Sequence, residues 1–489
     1  MASRTQPLNT QTPVRIASFR LLPHNKTFFP LALALIVGWA IGHMPAPYLL
    51  DEKGTQFLGT LIAAIVLWAS QLFDDYLVGL MLLLSWLVLN VVPPEIALSG
   101  FSQSSWFFAL SAMGMGAAVN KSGVLNRIAM KWLRFLKPNY KLYTWVFAAF
   151  GFLITPLVPE VKARIVLAVP LARAISERIG FQAGSNEAAG LSLASYSGSS
   201  QMTFMFLTGS TYCLIGWSVL PYSARIEFNW AMWALSALPA GILFFVVLLL
   251  SILVFFPISE DDQSKFVSQK ESVPSRHDNQ PLTREEWLTL LILSLALLGW
   301  VSKPLHGIHE PWIAFTALLT FAASGILDKK TFKNNVDWPL IMFFGVVYGM
   351  GGICTHLKVD RWLASLLDPV FSAVSFHPLA FLLATLIAVY LIRFFLAKPP
   401  AVILAMLLFL PASYSVGIHP GVLLITIILG VETWILPYQN PSYLLAYSST
   451  EGKAFTHAQG RKLMLAKFFA SIIAVAISVP YWKLLGLIH

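Results

Sequence analysis

Charged residues and cysteine are scarce in this sequence. Only 11% of its 489 residues are charged and 57% are hydrophobic, whereas soluble domains usually carry about 25% charged residues. So small a polar fraction cannot cover a soluble globule, and the lipid bilayer must be the main solvent of the chain. The two cysteines, Cys213 and Cys354, both lie in apolar segments, which excludes a disulfide framework and a cysteine-based zinc site.

Long apolar segments make up most of the chain. A helix that crosses about 30 Å of hydrocarbon needs about 20 apolar residues. Membrane spans are predicted at 29–50, 55–73, 76–94, 104–120, 187–220, 229–256, 287–304, 311–327, 338–356, 419–447 and 461–487. The sequence therefore predicts an all-α membrane protein with about 11 transmembrane helices.

Two further apolar segments, 141–176 and 377–414, carry charges and prolines near their middle. Lipid cannot satisfy charged side chains or the backbone groups that a proline exposes. A straight span is therefore excluded. Each segment is predicted to form a re-entrant hairpin whose tip lies inside the protein.

The chain divides into two halves of similar layout. A polar tail, 1–27, precedes a first transmembrane repeat, 28–258, and a polar linker, 259–287, separates it from a second repeat, 288–489. Each half has leading spans, a hairpin, a broken helix and a final helix. Inverted-topology repeats of this kind are common in secondary transporters, whose binding sites lie at the repeat interface.

Basic residues cluster in short segments between the spans. The tail, the segments 121–141 and 329–333, and the residues before the last span are rich in Lys and Arg. Short loops with such an excess face the cytoplasm. The pattern predicts an inner-membrane protein with a cytoplasmic N-terminus and an external C-terminus. It also explains the net charge of +10 without nucleic acid as a partner.

The two hairpin tips carry the first candidate site residues. Glu160, Lys162 and Arg164 lie in the first tip, and Lys398 and Pro399 lie in the second. A Lys or Arg at the bilayer centre costs about 2.5–3.5 kcal/mol on insertion scales, so it needs a partner or a wet cavity. These residues predict an anion site. The alternatives are a solvated cytoplasmic loop for the first tip and a snorkelling lysine for the second.

The broken helices supply the second group of candidates. Gly209, Ser210 and Thr211 lie in a segment rich in Gly, Ser and Thr, and Gln439 and Asn440 lie beside prolines in an otherwise apolar span. Unwound helix ends present free N–H groups and a positive partial charge to an anion. Close helix packing is the alternative for the first segment, because small residues favour it as well.

This arrangement resembles the divalent anion/sodium symporter family, whose members carry succinate, citrate, malate or sulfate. The resemblance covers about 30–487. Segments 207–216 and 436–447 look like the two copies of the family's Gly-Thr/Ser-Pro-Pro-Asn loop. The resemblance implies a homodimer, and a transport domain that moves like an elevator against a scaffold.

The hairpin motif departs from the family. Family tips carry Ser-Asn-Thr, whose side chains and nearby carbonyls help to bind sodium and the substrate carboxylate. By alignment with the family, Glu160, Val161 and Lys162 replace the first copy, and Ala397, Lys398 and Pro399 replace the second. The Asn residues of the two loops are replaced by Cys213 and Tyr443.

These replacements suggest that lysine ammonium groups stand where sodium would. An ion pair at about 4 Å contributes roughly 4 kcal/mol at an effective dielectric of 20, which would offset part of the desolvation of an anion. The resulting hypothesis is a sodium-independent carrier, with exchange favoured because two unpaired cations are costly to move empty. Neutralisation by Glu160, Glu187 or Glu432 would weaken that preference, and sodium or proton symport remains an alternative.

A membrane enzyme or sensor is the alternative from another class. The histidines show no metal spacing, no nucleophile motif is present, and the linker is too short to be a sensor domain. The sequence therefore predicts a transporter of a small multiply charged organic anion, of the di- or tricarboxylate class. No enzymatic activity, cofactor or metal is expected, and the expected partners are the anion, membrane lipid and a second copy of the chain.

Overall fold

The computed structural model describes residues 24–47, 49–125, 127–128, 131, 139–158, 160–258, 281–363, 365 and 377–489. Most of the predicted tail and linker, and part of the basic segment 121–141, lie outside the described residues. The domain boundaries therefore remain predictions. The described chain begins within a helix that already includes residues 24–27.

The first half is helical over most of its described length. Its α-helices are α1 (His24–Gly42), α2 (Glu52–Ser70), α3 (Asp75–Val88), α4 (Pro94–Ala97), α5 (Ser99–Ser102), α6 (Ser104–Ser122), α7 (Tyr140–Ile154), α8 (Val161–Ile179), α9 (Asn186–Ser200), α10 (Thr211–Val219), α11 (Tyr222–Glu227) and α12 (Trp230–Phe255). Asn139, Ser185 and Asn229 cap the starts of α7, α9 and α12 with side-chain oxygens. Such caps satisfy amide groups that a helix start leaves without partners.

The second half repeats this pattern. Its α-helices are α13 (Arg284–Val301), α14 (Lys303–His306), α15 (Glu310–Ala323), α16 (Lys329–Asn335), α17 (Trp338–His356), α18 (Pro378–Ile392), α19 (Lys398–Ser415), α20 (Pro420–Glu432), α21 (Pro441–Ser449) and α22 (His457–Leu484). The order of long helices, hairpin, broken helix and final helix is the same in both halves.

Two hairpins and two breaks define the repeat. Hairpin 1 is formed by α7 and α8, and hairpin 2 by α18 and α19. The first unwound segment, 201–210, separates α9 from α10, and the second, 433–440, separates α20 from α21; each contains only 3₁₀ turns. The second arm of each hairpin packs against the second half of the other repeat's broken helix, α8 on α21 and α19 on α10.

The all-α membrane architecture is confirmed. Trp230–Phe255, Trp338–His356, Lys398–Ser415 and His457–Leu484 are each long and apolar enough to cross a bilayer. Large apolar side chains also face outward along the helices, among them Ile36, Trp39 and Leu250. Lipid accommodates such a surface and water does not.

The first helix ends earlier than the sequence predicts. The first span was expected over 29–50, but α1 ends at Gly42. Pro45 and Pro47 follow, and a proline disfavours helical geometry at the preceding residue and supplies no amide hydrogen. The apolar run therefore continues beyond the helix.

Candidate functional site

Four helices begin at the tips and unwound segments. They are α8 and α19, the second arms of the hairpins, and α10 and α21, the second halves of the broken helices. Glu160, Ser210 and Asn440 cap α8, α10 and α21 through side-chain oxygens, whereas Ala397 at the start of α19 supplies none. Each helix start carries a positive partial charge, and such ends attract anions.

Arg164 joins the tip of hairpin 1 to the first unwound segment. Its side chain is fully buried and donates only to backbone carbonyls: Nε to Ser199 at 2.8 Å, Nη2 to Gly209 at 2.8 Å, and Nη1 to Thr155 at 3.3 Å and to Val158. A helix C-terminus leaves such carbonyls without partners. The guanidinium therefore connects three segments that would otherwise present unpaired oxygens.

Arg393 makes the matching connection in the second repeat. It is 2% exposed, and its Nε donates to the Val431 carbonyl at 3.1 Å. Its two terminal nitrogens donate to the carbonyls of Leu396, in the tip, and Gln439, in the second unwound segment. The Gln439 side chain donates back to the Arg393 carbonyl at 3.2 Å.

The two arginine clamps, Arg164 and Arg393 with these acceptors, are equivalent in space but not in sequence. In both repeats Nε bonds the penultimate residue of the helix before the break, and Nη2 bonds the residue before the cap of the helix after it. Arg164 lies four residues after the cap of α8, and Arg393 four residues before the cap of α19. Sequence reasoning missed Arg393, which this mirrored spacing about the tip would have revealed.

Lys398 binds a buried carboxylate. Its Nζ lies 2.9 Å from Oε2 of Glu432, and the two residues are 6% and 0% exposed. The other oxygen of Glu432 accepts hydrogen bonds from Thr203, at 2.5 Å, and from the Tyr212 hydroxyl. The ammonium group also lies 5.1 Å from the centre of the Tyr212 ring.

Lys467 on α22 adds a fourth buried base near the unwound segments. It is 4% exposed, and its Nζ lies 3.4 Å from the Gln201 carbonyl at the end of α9. Arg164, Arg393, Lys398 and Lys467 thus accompany the Glu432 carboxylate. Low dielectric strengthens every interaction in such a cluster.

Lys162 lies in a different environment. Its side chain is 62% exposed, and its Nζ is 3.1 Å from Oδ2 of Asp337 at the start of α17. Both residues line an open cavity of about 710 Å³, together with Glu160, Asn120 and Asn334. The structure therefore gives Lys162 and Lys398 different carboxylate partners, and Lys398 is not in the lining of this cavity.

A second cavity lies beside the C-terminal half of α19, away from the tip of hairpin 2. Its volume is about 890 Å³, and it lies between α17, α19 and the region of α10 and α11. Arg225, Gln103 and Tyr348 are among its polar lining residues. The second arms of the two hairpins, α8 and α19, thus each line one of these two cavities.

The remaining predicted site residues lie in the unwound segments or at the starts of the helices that follow the breaks and tips. A Cβ on Gly209 would lie 2.0 Å from the Thr203 carbonyl oxygen, so only glycine fits. Thr211 is the first residue of α10 and Pro399 the second of α19, and both are half-buried. Asn440 donates to the Tyr196 hydroxyl at 3.2 Å, which links the two broken helices.

This architecture is that of a secondary transporter. Inverted helical repeats, each with a broken helix, are typical of that class. The chain shares its fold with the YdaH transporter of Alcanivorax borkumensis, with a TM-score of 0.53 and 15% sequence identity over 95% of this chain and 98% of that one. At this identity the likeness defines the fold alone.

Sequence relatives define the family. The family model described as the sodium:sulfate symporter transmembrane region matches residues 25–488. The chain therefore belongs to this family, the divalent anion/sodium symporters indicated by its motifs. Inner membrane protein YbhI of Escherichia coli (strain K12) is 24% identical over 395 residues, 78% of this chain and 82% of the relative. The citrate/succinate antiporter of the same strain is 21% identical over 452 residues, 87% and 86% of the two chains.

Proposed function

We propose that this membrane transporter carries a small organic anion with several negative charges, of the di- or tricarboxylate class, without sodium. The observation that carries this proposal is the pair of arginine clamps. In the family, carbonyls near the tips help to bind sodium. Here the tip and break carbonyls accept hydrogen bonds from the guanidinium groups of Arg164 and Arg393.

The arginines take over the role that the sequence suggested for lysines. Lys162 is paired with Asp337 and Lys398 with Glu432, so neither ammonium group is bonded to the carbonyls at the breaks. A planar guanidinium with five N–H donors suits several diverging carbonyls better than an ammonium group does. A covalently attached cation stays in place whether sodium is present or not.

The charge balance supports the substrate class. Around the described tips and breaks, four buried bases accompany one buried carboxylate, Glu432, and the half-buried carboxylate of Glu160. Four helix starts add positive partial charge. An anion with two or three charges offsets this excess best. The name of the relative that exchanges citrate and succinate agrees with this choice.

The same balance favours exchange over net transport. An empty core with excess positive charge is costly to move through a hydrophobic barrier, whereas a core that holds a dianion or trianion is nearly neutral. We infer that the core returns most readily with a second anion bound. Because Lys162 and Lys398 are each paired with a carboxylate, the empty core costs less free energy to move back. The remaining positive charge keeps that cost above zero.

The proposed mechanism is alternating access of an elevator type in a homodimer of the inner membrane. Glu160 and Lys162 would contact the anion on the cytoplasmic side, where the first cavity opens beside hairpin 1. Ser210, Thr211, Gln439 and Asn440, at or beside the helix starts, would bind it deeper. The cavity beside hairpin 2 supports a second, external opening.

Uptake by reconstituted protein tests the proposal. Proteoliposomes loaded with unlabelled citrate or succinate should take up the labelled anion at the same rate in sodium and in choline. Vesicles without internal anion should take up the labelled anion more slowly. Strong dependence on sodium would refute the clamp-for-sodium proposal, and failure of every di- and tricarboxylate tested would refute the substrate class.

Proton coupling is a second candidate, favoured by the buried carboxylate of Glu432. A carboxylate that is buried away from water can bind a proton during the transport cycle. An imposed pH gradient, acid outside, would then drive uptake into unloaded vesicles. Equal uptake with and without the gradient would exclude this coupling.

A further inference from the structure

Glu432 is one residue in which the two repeats differ. It is the last residue of α20, and the equivalent last residue of α9 is Ser200. A carboxylate at a helix C-terminus meets the negative end of the helix dipole, and burial adds a further cost. Contacts that exist only at the second repeat's position must therefore offset both costs.

The contacts of Glu432 provide that offset. Lys398 binds one oxygen at 2.9 Å, and Thr203 and Tyr212 donate to the other. These donors come from hairpin 2, the first unwound segment and α10. The carboxylate therefore ties both repeats together at the centre of the proposed binding site.

Charge is what distinguishes this carboxylate from an ordinary structural link. A hydroxyl or amide could accept the two hydroxyl hydrogen bonds equally well, but only a negative charge neutralises Lys398. With Glu432 ionised, its negative charge directly offsets the positive charge of Lys398. Without it, the Lys398 ammonium group of the empty core would have no carboxylate partner among the described residues.

We propose that Glu432 is the internal counter-anion of the carrier. In the absence of substrate its carboxylate neutralises Lys398, and this lowers the cost of returning the core empty. The inference rests on the proposed anion transport and goes further, because it assigns the balance between net uptake and exchange to one side chain.

The ratio of two rates tests this role. Net uptake is measured into vesicles without internal anion, and exchange into vesicles preloaded with the same unlabelled dicarboxylate. Glu432→Gln should lower the ratio of net uptake to exchange by about tenfold, because one more unpaired buried charge costs at least the energy of one decade in rate. A loss of folded protein lowers both rates together and leaves the ratio unchanged.

Matched variants separate charge from structure. Glu432→Asp keeps the charge and should keep the wild-type ratio. Glu310→Gln removes another buried, ion-paired carboxylate, 1% exposed and 2.9 Å from Lys303, and should also keep it. If Glu432→Gln does not yield folded protein, Glu432→Ser removes the same charge and installs the residue of the equivalent position in the first repeat.

The outcomes are distinguishable. An unchanged ratio in Glu432→Gln or Glu432→Ser, with exchange intact, would overturn the role of Glu432 alone. An equal fall in Glu432→Asp would do the same, since the charge is retained there. Absence of any anion exchange by the wild type would overturn the proposed function itself.

Discussion

At the scale of single residues, backbone carbonyl groups stabilise the buried positive charges of the two arginines. Arg164 and Arg393 are buried, yet their bonds go to carbonyls at helix ends and tips. A helix that stops inside the protein leaves oxygens with partial negative charge. A guanidinium can bond several of them at once, and this explains how two full charges are kept inside a membrane protein.

Arg164→Lys should destabilise the protein while keeping its charge. An ammonium group cannot reach Ser199, Val158 and Gly209 together, so at least one charge-assisted hydrogen bond is lost, worth about 1.5–3 kcal/mol. The unfolding temperature in detergent, followed by labelling of the buried thiol of Cys213, should fall. Arg178→Lys, at an exposed position of the same helix, is the control, and an equal fall there would contradict the clamp.

Sequence reasoning reached part of this site. A charge inside an apolar run is visible without coordinates, so Arg164, Lys162 and Lys398 were found. Arg393 was missed because it precedes its tip and looks like an ordinary helix-end residue. Glu432 was one of three carboxylates considered as a lysine partner, and the sequence could not decide among them. Asp337 was not anticipated, because it lies 175 residues along the chain from Lys162 and only folding brings them together.

At the scale of elements, the hairpins fit the broken helices through small residues. A Cβ on Gly198 would lie 2.1 Å from the Ala148 carbonyl oxygen, and one on Gly151 would lie 2.4 Å from the Ser199 nitrogen. Backbones therefore touch where α7 crosses α9. This contact holds the carbonyl of Ser199 in place for Arg164.

Gly198→Ala should weaken this crossing. The added methyl group meets backbone that cannot move aside, and overpacking of this kind costs about 1–3 kcal/mol. Thermal unfolding in detergent should show the loss, together with slower exchange. Gly352→Ala in α17 is the matched control, because no atom lies within 4 Å of its Cβ and alanine favours a helix by about 1 kcal/mol.

Element types were predictable and their exact ends were not. The breaks near 207–216 and 436–447 follow from glycine, serine and proline in apolar spans. The structure has a break in each span but unwinds 201–210 and 433–440, earlier than expected. Helix ends depend on caps such as Ser210 and Asn440, whose bonds form only in one geometry. The shortening of α1 depends on prolines that hydropathy alone does not weigh.

At the scale of the whole molecule, contacts between distant segments can be compared with the predicted orientation in the membrane. The Gly184 amide donates to the Lys453 carbonyl across the repeats at 2.9 Å, and within the second repeat the His489 amide donates to the Gly417 carbonyl at 3.0 Å. With the N-terminus inside, the first pair is cytoplasmic and the second external. The contacts agree with the distribution of basic residues.

Cysteine labelling measures this orientation. The natural Cys213 and Cys354 are buried and should stay silent. A membrane-impermeant maleimide should label Lys483→Cys in right-side-out membranes, and Lys453→Cys only after permeabilisation, because both side chains lie at exposed positions. The reverse pattern would invert the proposed topology and the assignment of the two cavities.

The mirrored positions of the two clamps bear on how this chain evolved. If the halves descend from one duplicated gene, aligned positions share an ancestor, and Arg164 aligns with Ala401 while Arg393 aligns with Pro156 by their caps. On that alignment the two arginines do not occupy one shared ancestral position. The proposed independence from sodium would then have needed a separate substitution in each half.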